Sequence, residues 1–251
     1  MSAPDAPAPV DGTVALVPLR DGVSGKSRLA SSLDPAARRR LVAALARHVV
    51  AVLRASDEVD RVLVVTADVP FVDQALGAHG GSSVSARQLG LPRRAETAAP
   101  SVEVVPQPAG RPGLNAALDV GREAAVARGA GRLLVAHADL PLLAPHDVAA
   151  LLAAGGTDDD PPPVVVATDR HLAGTNLLVL PATTPGDAAF RFRFGEGSRA
   201  AHVAEAERVG LRPVVVRRAG TAVDLDTIDD WGELPRAARD RLRHGLDLPL
   251  P

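Results

Sequence analysis

Continuous apolar runs alternate with amphipathic segments along most of this 251-residue chain. The apolar runs lie at residues 13–19, 61–66, 102–105, 132–136 and 164–167. The runs at 13–19 and 61–66 lack the polar alternation of a half-exposed strand and predict buried strands, and the other three predict further strands. The segment behind Pro35 instead repeats Leu and Val every four residues, which is typical of a helix packed on a sheet. This alternation predicts an α/β fold with a mostly parallel sheet covered by helices on both sides.

Polar residues mark the predicted starts of several helices. Asp34 and Pro35 fit the N-cap and the first position of the helix that follows them. Ser198 is the predicted N-cap of a helix that runs to about residue 209, and Thr227 is the predicted cap of a terminal helix. The Phe and Arg alternation at residues 190–194 predicts an extended segment with three phenylalanines packed on one face.

The polar, proline-rich residues 155–163 are followed by another predicted strand, so they are interpreted as a loop and residues 13–235 are predicted to form one domain. The Ala- and Pro-rich residues 1–12 are expected to be a disordered tail, and residues 236–251 a C-terminal extension. Residues 80–100 show no clear period and are expected to form mainly a loop.

One lysine stands in the loop that follows the first predicted strand. Lys26 is the only lysine of the chain, since every other member of the 28 Lys and Arg residues is an arginine. Gly22 and Gly25 allow this loop to turn tightly and to bring N–H groups close to a phosphate. Gly25 and Lys26 match the end of a Walker A motif, but Arg20 occupies the place of its first glycine. The loop therefore indicates phosphate binding by a design other than the P-loop.

Composition narrows the class of protein. Cysteine is absent, which excludes disulfides, thiolate catalysis and zinc sites built on cysteine. A net charge of −2 argues against a sequence-independent nucleic-acid binder. No apolar stretch reaches the roughly 18 residues of a membrane-spanning helix, and residues 2–10 lack the regions of a signal peptide, so we expect a cytoplasmic protein. The bias toward Ala, Arg, Pro and Gly indicates a high-GC bacterial genome.

Aspartates follow two of the predicted strands. Asp139 comes after the strand at 132–136, and Asp224 and Asp226 come after the last long strand predicted at 211–217. The carboxyl ends of parallel strands meet at one edge of a sheet, where α/β folds place their ligands. Carboxylate oxygens suit Mg²⁺, which keeps further sites for water and phosphate. We therefore expect these aspartates to form a magnesium site, although any one of them alone is more typical of a helix cap or a loop.

Six short motifs occur along the chain in an order that one enzyme family shares. They are Gly25-Lys26-Ser27-Arg28-Leu29, Gly113-Leu114-Asn115-Ala116-Ala117, Ala138-Asp139-Leu140-Pro141-Leu142, Gly174-Thr175-Asn176, Phe194-Gly195-Glu196-Gly197-Ser198 and Asp224-Leu225-Asp226-Thr227. Through them the chain resembles the phosphoenolpyruvate and 2-phospho-L-lactate guanylyltransferases of coenzyme F-420 biosynthesis, over about residues 13 to 235. The N-terminal tail, the extra residues near 80–100 and 181–190 and the C-terminal extension depart from the family pattern but leave the motifs intact.

The resemblance implies a fold and a role for each matching residue. The fold would be a three-layer α/β/α nucleotidyltransferase, Rossmann-like and of the nucleotide-diphospho-sugar transferase type, with a mostly parallel mixed sheet. The catalytic residues would be Lys26 and Asp139. The metal ligands for Mg²⁺ would be Asp139, Asp224 and Asp226. The guanine nucleotide would contact Gly25, Lys26, Arg28, Gly113 and Asn115. The phosphate and carboxylate of the acceptor would contact Thr175, Gly195 and Ser198.

Structural roles remain open for three of these residues. Ser198 at the start of a helix fits anion binding independently, because a helix N-terminus attracts anions. A plain helix cap is the alternative for Ser198 and for Asn115, and the end of a turn is the alternative for Thr175.

The reaction implied by the resemblance is transfer of GMP from GTP to phosphoenolpyruvate, with release of pyrophosphate. The attacking phosphate oxygen is already anionic near neutral pH, so no general base is needed, and the main task is to align two polyanions. Phosphoenolpyruvate is the acceptor of bacterial members and 2-phospho-L-lactate that of archaeal ones, so the bacterial composition favours the former. The unstable product is expected to pass to the next enzyme of the pathway.

Two alternatives stay open at the level of sequence. One keeps the fold but changes the acceptor to a sugar phosphate or molybdopterin, because the lysine loop does not separate these enzymes. The other is a P-loop-like NTPase or a nucleotide-binding regulator that performs no transfer, against which Arg20 speaks.

Overall fold

One mixed sheet organises the protein. The structure, a computed structural model, describes residues 10–20, 27–30, 32–77, 99–154, 156, 161–184 and 189–243. The strands in this part of the chain are β1 (Val10–Pro18), β2 (Arg61–Thr66), β3 (Ser101–Pro106), β4 (Ala130–Ala136), β5 (Pro163–Thr168), β6 (Thr175–Pro181) and β7 (Arg212–Val216). Their order is β3-β2-β1-β4-β6-β5-β7, and within this described sheet only β6 runs antiparallel to its neighbours. The predicted mostly parallel mixed sheet is confirmed.

Helices cover both faces of this sheet. They are α1 (Pro35–Ala55), α2 (Val69–Leu76), α3 (Leu114–Val126), α4 (Pro145–Ala154), α5 (Ser198–Arg208), α6 (Ala219–Ala222), α7 (Ile228–Glu233) and α8 (Arg236–Arg243). On one face α1, α2 and α4 pack against Ala15 and Val17 of β1. On the other face α3 and α5 pack around Val14 and Leu16 of the same strand. Because successive side chains of a strand point to opposite faces, one apolar run supplies both cores and gives the α/β/α layers.

A third apolar cluster joins the C-terminal helices to α1. Trp231 and Leu242 pack there with Leu41 and Leu45 of α1. Residues 236–243 of the predicted C-terminal extension are therefore part of the folded body.

The chain behind Thr227 forms two helices, where the sequence predicted one terminal helix. Thr227 does cap α7, because its side chain accepts a hydrogen bond from the N–H of Asp230. The chain then leaves α7 at Leu234, and Pro235 separates α7 from α8. Proline has no N–H to continue a helix, which explains the break.

The segment at residues 190–194 is extended and buries its three phenylalanines, as predicted. Side chains, rather than a neighbouring strand, satisfy its backbone. The N–H of Arg191 donates to Glu205 Oε1 at 2.8 Å, and the N–H of Arg193 donates to His202 Nε2 at 3.0 Å. The N–H of Phe194 donates to Asn115 Oδ1 at 2.9 Å. Helices α3 and α5 therefore hold this segment in place.

Two predicted boundaries differ from the structure. β1 begins at Val10, inside the residues 1–12 that were expected to be a tail. Ser198 is the first residue of α5 and not its N-cap, which is Gly197 in a left-handed conformation with φ of 67°. A glycine adopts this conformation without strain, so the hydroxyl of Ser198 is left for another bond.

Most of the predicted loop at 80–100 lies outside the described residues. None of the described helices is both long and apolar enough to cross a membrane.

Candidate active site

A cleft of about 540 Å³ lies along one edge of the sheet. Leu19, Asp139 and Asp169 line it, and they follow the parallel strands β1, β4 and β5 respectively. Thr175 also lines the cleft, although it is the first residue of its strand. β6 is antiparallel to β4, with Leu177 opposite Ala136 at the end of β4, so its start reaches the same edge. The cleft therefore occupies the edge predicted for ligands.

Asp139, Asp224 and Asp226 line one side of this cleft, and we call them the acidic wall. The N–H of Leu225 donates to the carbonyl oxygen of Asp139 at 3.0 Å. This bond joins the segment after β4 to the segment between α6 and α7. The structure thus brings together the three aspartates that the sequence predicted as a group.

A buried carboxylate fixes the backbone beside Asp226. Asp230 Oδ2 accepts the N–H groups of Asp226 at 2.9 Å and of Thr227 at 2.6 Å, and Arg170 donates to Asp230 Oδ1 at 2.5 Å. Burial alone raises the pKa of the Asp230 carboxyl, but the bonds from Thr227 and Arg170 outweigh it and hold this pKa below its ordinary value. Asp230 is therefore an ionised anchor behind the acidic wall.

The donor chemistry of the cleft suits Mg²⁺. Four carboxylates line it (the acidic wall and Asp169), whereas Arg20 is the single Arg or Lys among the lining residues that the structure describes. A polyanionic ligand in such a cleft requires cations. Among the described residues, no three His, Cys, Asp or Glu side chains form a group that could hold a metal ion. One or two carboxylates, completed by water and substrate phosphate, are nevertheless the usual ligands of Mg²⁺.

Thr175, Gly195 and Ser198 line another part of the cleft, and we call them the hydroxyl wall. The N–H of Thr175 donates to Ser198 Oγ at 2.9 Å, and the N–H of Ser198 donates to the carbonyl oxygen of Gly195 at 3.2 Å. Both side chains are buried, with exposures of 2% for Thr175 and 3% for Ser198. Gly195 has φ of 138°, which glycine adopts without strain. These bonds make one rigid unit of residues that the sequence predicted to act together.

The start of α3 forms a further part of the lining. Gly113 lies there with φ of 95°, and no side chain caps this helix. Gln107 shapes the preceding loop, because its Nε2 donates to the carbonyl oxygens of Arg111 at 2.6 Å and of Gly113 at 2.9 Å. Asn115 exchanges two hydrogen bonds with the backbone of Phe194, through Nδ2 at 3.1 Å and Oδ1 at 2.9 Å. Asn115 thus ties α3 to the hydroxyl wall.

The remaining predicted residues are either outside the described part of the chain or absent from the cleft lining. Gly25 and Lys26 are outside the described residues. Arg28 is exposed in a short 3-10 turn and is not among the residues that line the cleft. The predicted residues that do line the cleft are Gly113, Asp139, Thr175, Gly195, Ser198, Asp224 and Asp226.

Comparisons with known proteins show the family of the chain. Residues 93–241 match the protein family described as guanylyl transferase CofC like. The chain belongs to this family. It is 39% identical to the phosphoenolpyruvate guanylyltransferase of Rubrobacter xylanophilus, over 88% of this chain and 92% of that protein. It is 36% identical to the phosphoenolpyruvate guanylyltransferase of Sphaerobacter thermophilus, with the same two coverages.

A solved structure shows the same fold. A Desulfovibrio desulfuricans protein described as a nucleotide-diphospho-sugar transferase superposes with a TM-score of 0.66, over 94% of this chain and 96% of that one, at 15% identity. The family and the fold that the motifs implied are therefore confirmed. This member of the CofC-like family is a nucleotidyltransferase.

Two residues of this family member contact the site but received no role from its sequence. The Nε2 atom of His137 is buried at the cleft and has no hydrogen-bond partner among the described residues. His202 is fully buried, and its Nδ1 lies 3.0 Å from Thr175 Oγ1. His202 is four residues after Ser198, and this spacing places both on one face of a helix, which is a signal that could have found it. The only sequence signal for His137 is its position directly after β4.

Burial controls the charge of His202. Burial, with a smaller contribution from the nearby His137, lowers the pKa of this imidazole from 6.5 to about 4. His202 is therefore neutral at the pH values at which cells work.

Proposed function

We propose that this enzyme transfers GMP from GTP to phosphoenolpyruvate, giving enolpyruvoyl-2-diphospho-5'-guanosine and pyrophosphate, in coenzyme F-420 biosynthesis. The observation that carries the proposal is that the acidic wall and the hydroxyl wall line one cleft. The first offers carboxylates for a metal–nucleotide complex, and the second offers hydroxyls for a small anionic acceptor. The names of the two bacterial relatives favour phosphoenolpyruvate over 2-phospho-L-lactate.

The reaction needs two polyanions brought together in line. A phosphate oxygen of the acceptor forms a bond to the α-phosphorus of GTP, while the bond from that phosphorus to the bridging oxygen breaks and pyrophosphate leaves. The acidic wall would hold Mg²⁺, which supplies positive charge to the phosphates. Thr175, Gly195 and Ser198 would orient the acceptor, and Lys26 would offset the charge between the two substrates.

Two of the described histidines are structural groups rather than general bases. Both ring nitrogens of His202 already make hydrogen bonds, and its pKa of about 4 suits a neutral structural group. His48 is buried as well, with its Nε2 bonded to the carbonyl oxygen of Leu143 and its pKa lowered to about 4 by burial. Neither histidine is placed to remove a proton from a substrate. An anionic phosphate nucleophile requires no such group.

A transfer assay tests the proposal. The purified protein is incubated with GTP, Mg²⁺ and phosphoenolpyruvate, and release of pyrophosphate is measured. Parallel reactions replace phosphoenolpyruvate by 2-phospho-L-lactate, or GTP by CTP. We expect the GTP and phosphoenolpyruvate pair to react fastest, and no reaction without Mg²⁺. Absence of pyrophosphate release with either small phosphocarboxylate would refute the proposed function.

Two further expectations follow from the same proposal. The product is an unstable mixed diphosphate, so we expect this enzyme to hand it to the next enzyme of the pathway. We also expect the protein to work in the cytoplasm. Pull-down of the next pathway enzyme by the full-length chain, with and without both substrates, tests the first expectation.

A further inference from the structure

His202 lies behind the hydroxyl wall, and its two ring nitrogens have partners of different kinds. The backbone N–H of Arg193 donates to Nε2 at 3.0 Å, so Nε2 is the unprotonated nitrogen of the ring. In a neutral imidazole the other nitrogen then carries the hydrogen. Nδ1 lies 3.0 Å from Thr175 Oγ1 and therefore donates to it. The bond from Arg193 thus selects the tautomer of His202.

This tautomer decides what the hydroxyl of Thr175 can offer to the cleft. Because the oxygen of Thr175 accepts from His202, its own hydrogen is left for another acceptor, and the described residues supply none. The hydroxyl hydrogen of Ser198 is likewise left for another acceptor, since its Oγ accepts the N–H of Thr175 at 2.9 Å. With the opposite tautomer, Thr175 would donate to the ring and turn only lone pairs toward an anion.

We propose that His202 is a positioning residue that makes the Thr175 hydroxyl a hydrogen-bond donor to the anionic acceptor substrate. The inference rests on the proposed function, because it takes the acceptor to bind at the hydroxyl wall. The relay runs from the N–H of Arg193 through His202 to Thr175, and together with Ser198 it leaves the buried wall with two hydroxyl donors. Such donors favour ionised phosphate or carboxylate oxygens, to which hydrogen bonds are stronger than to neutral ones.

The backbone of the 190–194 segment has a function in this relay. Arg193 lies between two residues whose backbone N–H groups are also fixed, Arg191 by Glu205 and Phe194 by Asn115. The rings of Phe194 and His202 also pack edge to face, with centroids 4.5 Å apart. This packing and these bonds hold the ring in one orientation.

Two amide substitutions separate the positioning role from a purely structural one. The amide nitrogen of asparagine replaces Nδ1, so His202→Asn keeps a donor to Thr175. The amide of glutamine reaches the place of Nε2, so His202→Gln keeps an acceptor for Arg193 and lacks the donor. We expect KM for phosphoenolpyruvate to rise about 10-fold in His202→Gln and in His202→Leu, and by less than about 3-fold in His202→Asn. KM for GTP should stay within about 2-fold in all three variants.

A matched control is His48→Leu, which removes another buried neutral histidine that has one backbone hydrogen bond. It should leave both KM values unchanged. If His202→Gln keeps a lower acceptor KM than His202→Asn, the residue serves only to anchor Arg193 and the proposal is wrong. An equal rise of both KM values would also overturn it.

A direct measurement decides the tautomer without any substrate. In ¹⁵N-labelled full-length protein, imidazole correlation spectra distinguish Nδ1–H from Nε2–H. We expect Nδ1–H for His202 and Nε2–H for His48, whose Nε2 faces a carbonyl oxygen and must donate. An Nε2–H or doubly protonated His202 near neutral pH would overturn the inference. If the wild-type enzyme failed to use any acceptor, the proposed function would fall, while this spectrum would still test His202.

Discussion

The two walls of the cleft reach the same edge of the sheet from opposite ends of their strands. Asp139 follows the end of β4, as expected for a ligand site in a parallel sheet, whereas Thr175 begins the antiparallel β6. One antiparallel strand is therefore enough to bring the amino end of a strand to the edge where the carboxyl ends of the parallel strands lie. In a mixed sheet the ligand edge collects residues from the carboxyl ends of parallel strands and from the amino ends of antiparallel ones.

The walls also differ in what holds them. A backbone bond from Leu225 to Asp139 joins the parts of the acidic wall, whose carboxylates bring charge into the cleft. The hydroxyl wall is uncharged, and side chains from two helices, Asn115 and His202, hold it. We therefore expect substitutions in the acidic wall to change the rate of the chemical step, and substitutions behind the hydroxyl wall to change acceptor binding.

The largest effect should come from removing a charged side chain that acts on the substrate phosphates, directly or through Mg²⁺. We expect Asp139→Ala and Lys26→Ala each to lower kcat by about 10²–10³-fold with the fold intact, the scale of losing one electrostatic partner of the transition state. Steady-state pyrophosphate release measures kcat, and circular dichroism checks the fold. Asp240→Ala, on the outer helix α8, is the control and should stay within about 2-fold, because surface substitutions have small effects. Near wild-type activity in Asp139→Ala would contradict the assignment of the acidic wall.

The next effect is on stability, and it comes from the two buried histidines. Burial lowers the pKa of His48 and of His202 from 6.5 to about 4. Between these values the unfolded chain binds more protons than the folded chain, so the free energy of unfolding falls as the pH is lowered through this window. The expected loss is roughly 3 kcal/mol for each histidine. Denaturant unfolding near neutral pH and near pH 4 measures it.

His48→Leu serves as the internal control for this pH dependence. It should remove the contribution of His48 to the slope and leave that of His202. The carboxyls of Glu205 and Asp230 have pKa values below their ordinary ones, so their contribution is lost only toward the acidic end of the window. An unchanged slope in His48→Leu would show that this histidine is not kept neutral by the fold.

A smaller effect should follow from removing the anchor behind the acidic wall. Asp230→Ala deletes the acceptor for the N–H groups of Asp226 and Thr227 and leaves Arg170 without its buried partner. We expect a loss of about 2 kcal/mol in the free energy of unfolding, and a higher Mg²⁺ concentration for half-maximal activity. Thr227→Ala removes the cap of α7 and one hydroxyl donor to Asp230 but keeps the two backbone N–H groups on that carboxylate, and it should cost about 1 kcal/mol. Equal losses in the two variants would mean that Asp230 acts only as part of that cap.

The sequence predicted the acidic wall by physical reasoning and the hydroxyl wall mainly by resemblance, with the helix start at Ser198 as independent support. Buried apolar runs predict the strands, and the parallel-sheet rule then places Asp139 at the ligand edge. No pattern in the sequence predicts that β6 is antiparallel to its neighbours, so Thr175 was found through its family motif. Ser198 was predicted to be a helix N-cap as well as an acceptor contact, and the cap is wrong because the left-handed Gly197 is not visible in the sequence. His202 was missed, since its partners Arg193 and Thr175 become neighbours only when the segment at 190–194 folds against α5.

The last prediction asks to which wall Asn115 belongs. The sequence predicted a nucleotide contact, whereas its amide exchanges two hydrogen bonds with the backbone of Phe194, next to Gly195. In Asn115→Asp a carboxylate oxygen meets the carbonyl oxygen of Phe194, so one bond is replaced by repulsion. We expect kcat/KM for phosphoenolpyruvate to fall about 10-fold, with KM for GTP nearly unchanged.

Gln107→Glu is the matched comparison, because it makes the same change of amide to acid in the segment that precedes α3. The Nε2 of Gln107 donates to the carbonyl oxygens of Arg111 and Gly113, so this substitution disturbs the loop before the helix. We expect it to raise KM for GTP by a few-fold and to spare the acceptor, on the scale of one lost hydrogen bond. If Asn115→Asp raised KM for GTP as Gln107→Glu does, Asn115 would belong with the nucleotide, and the hydroxyl wall would depend on α5 alone.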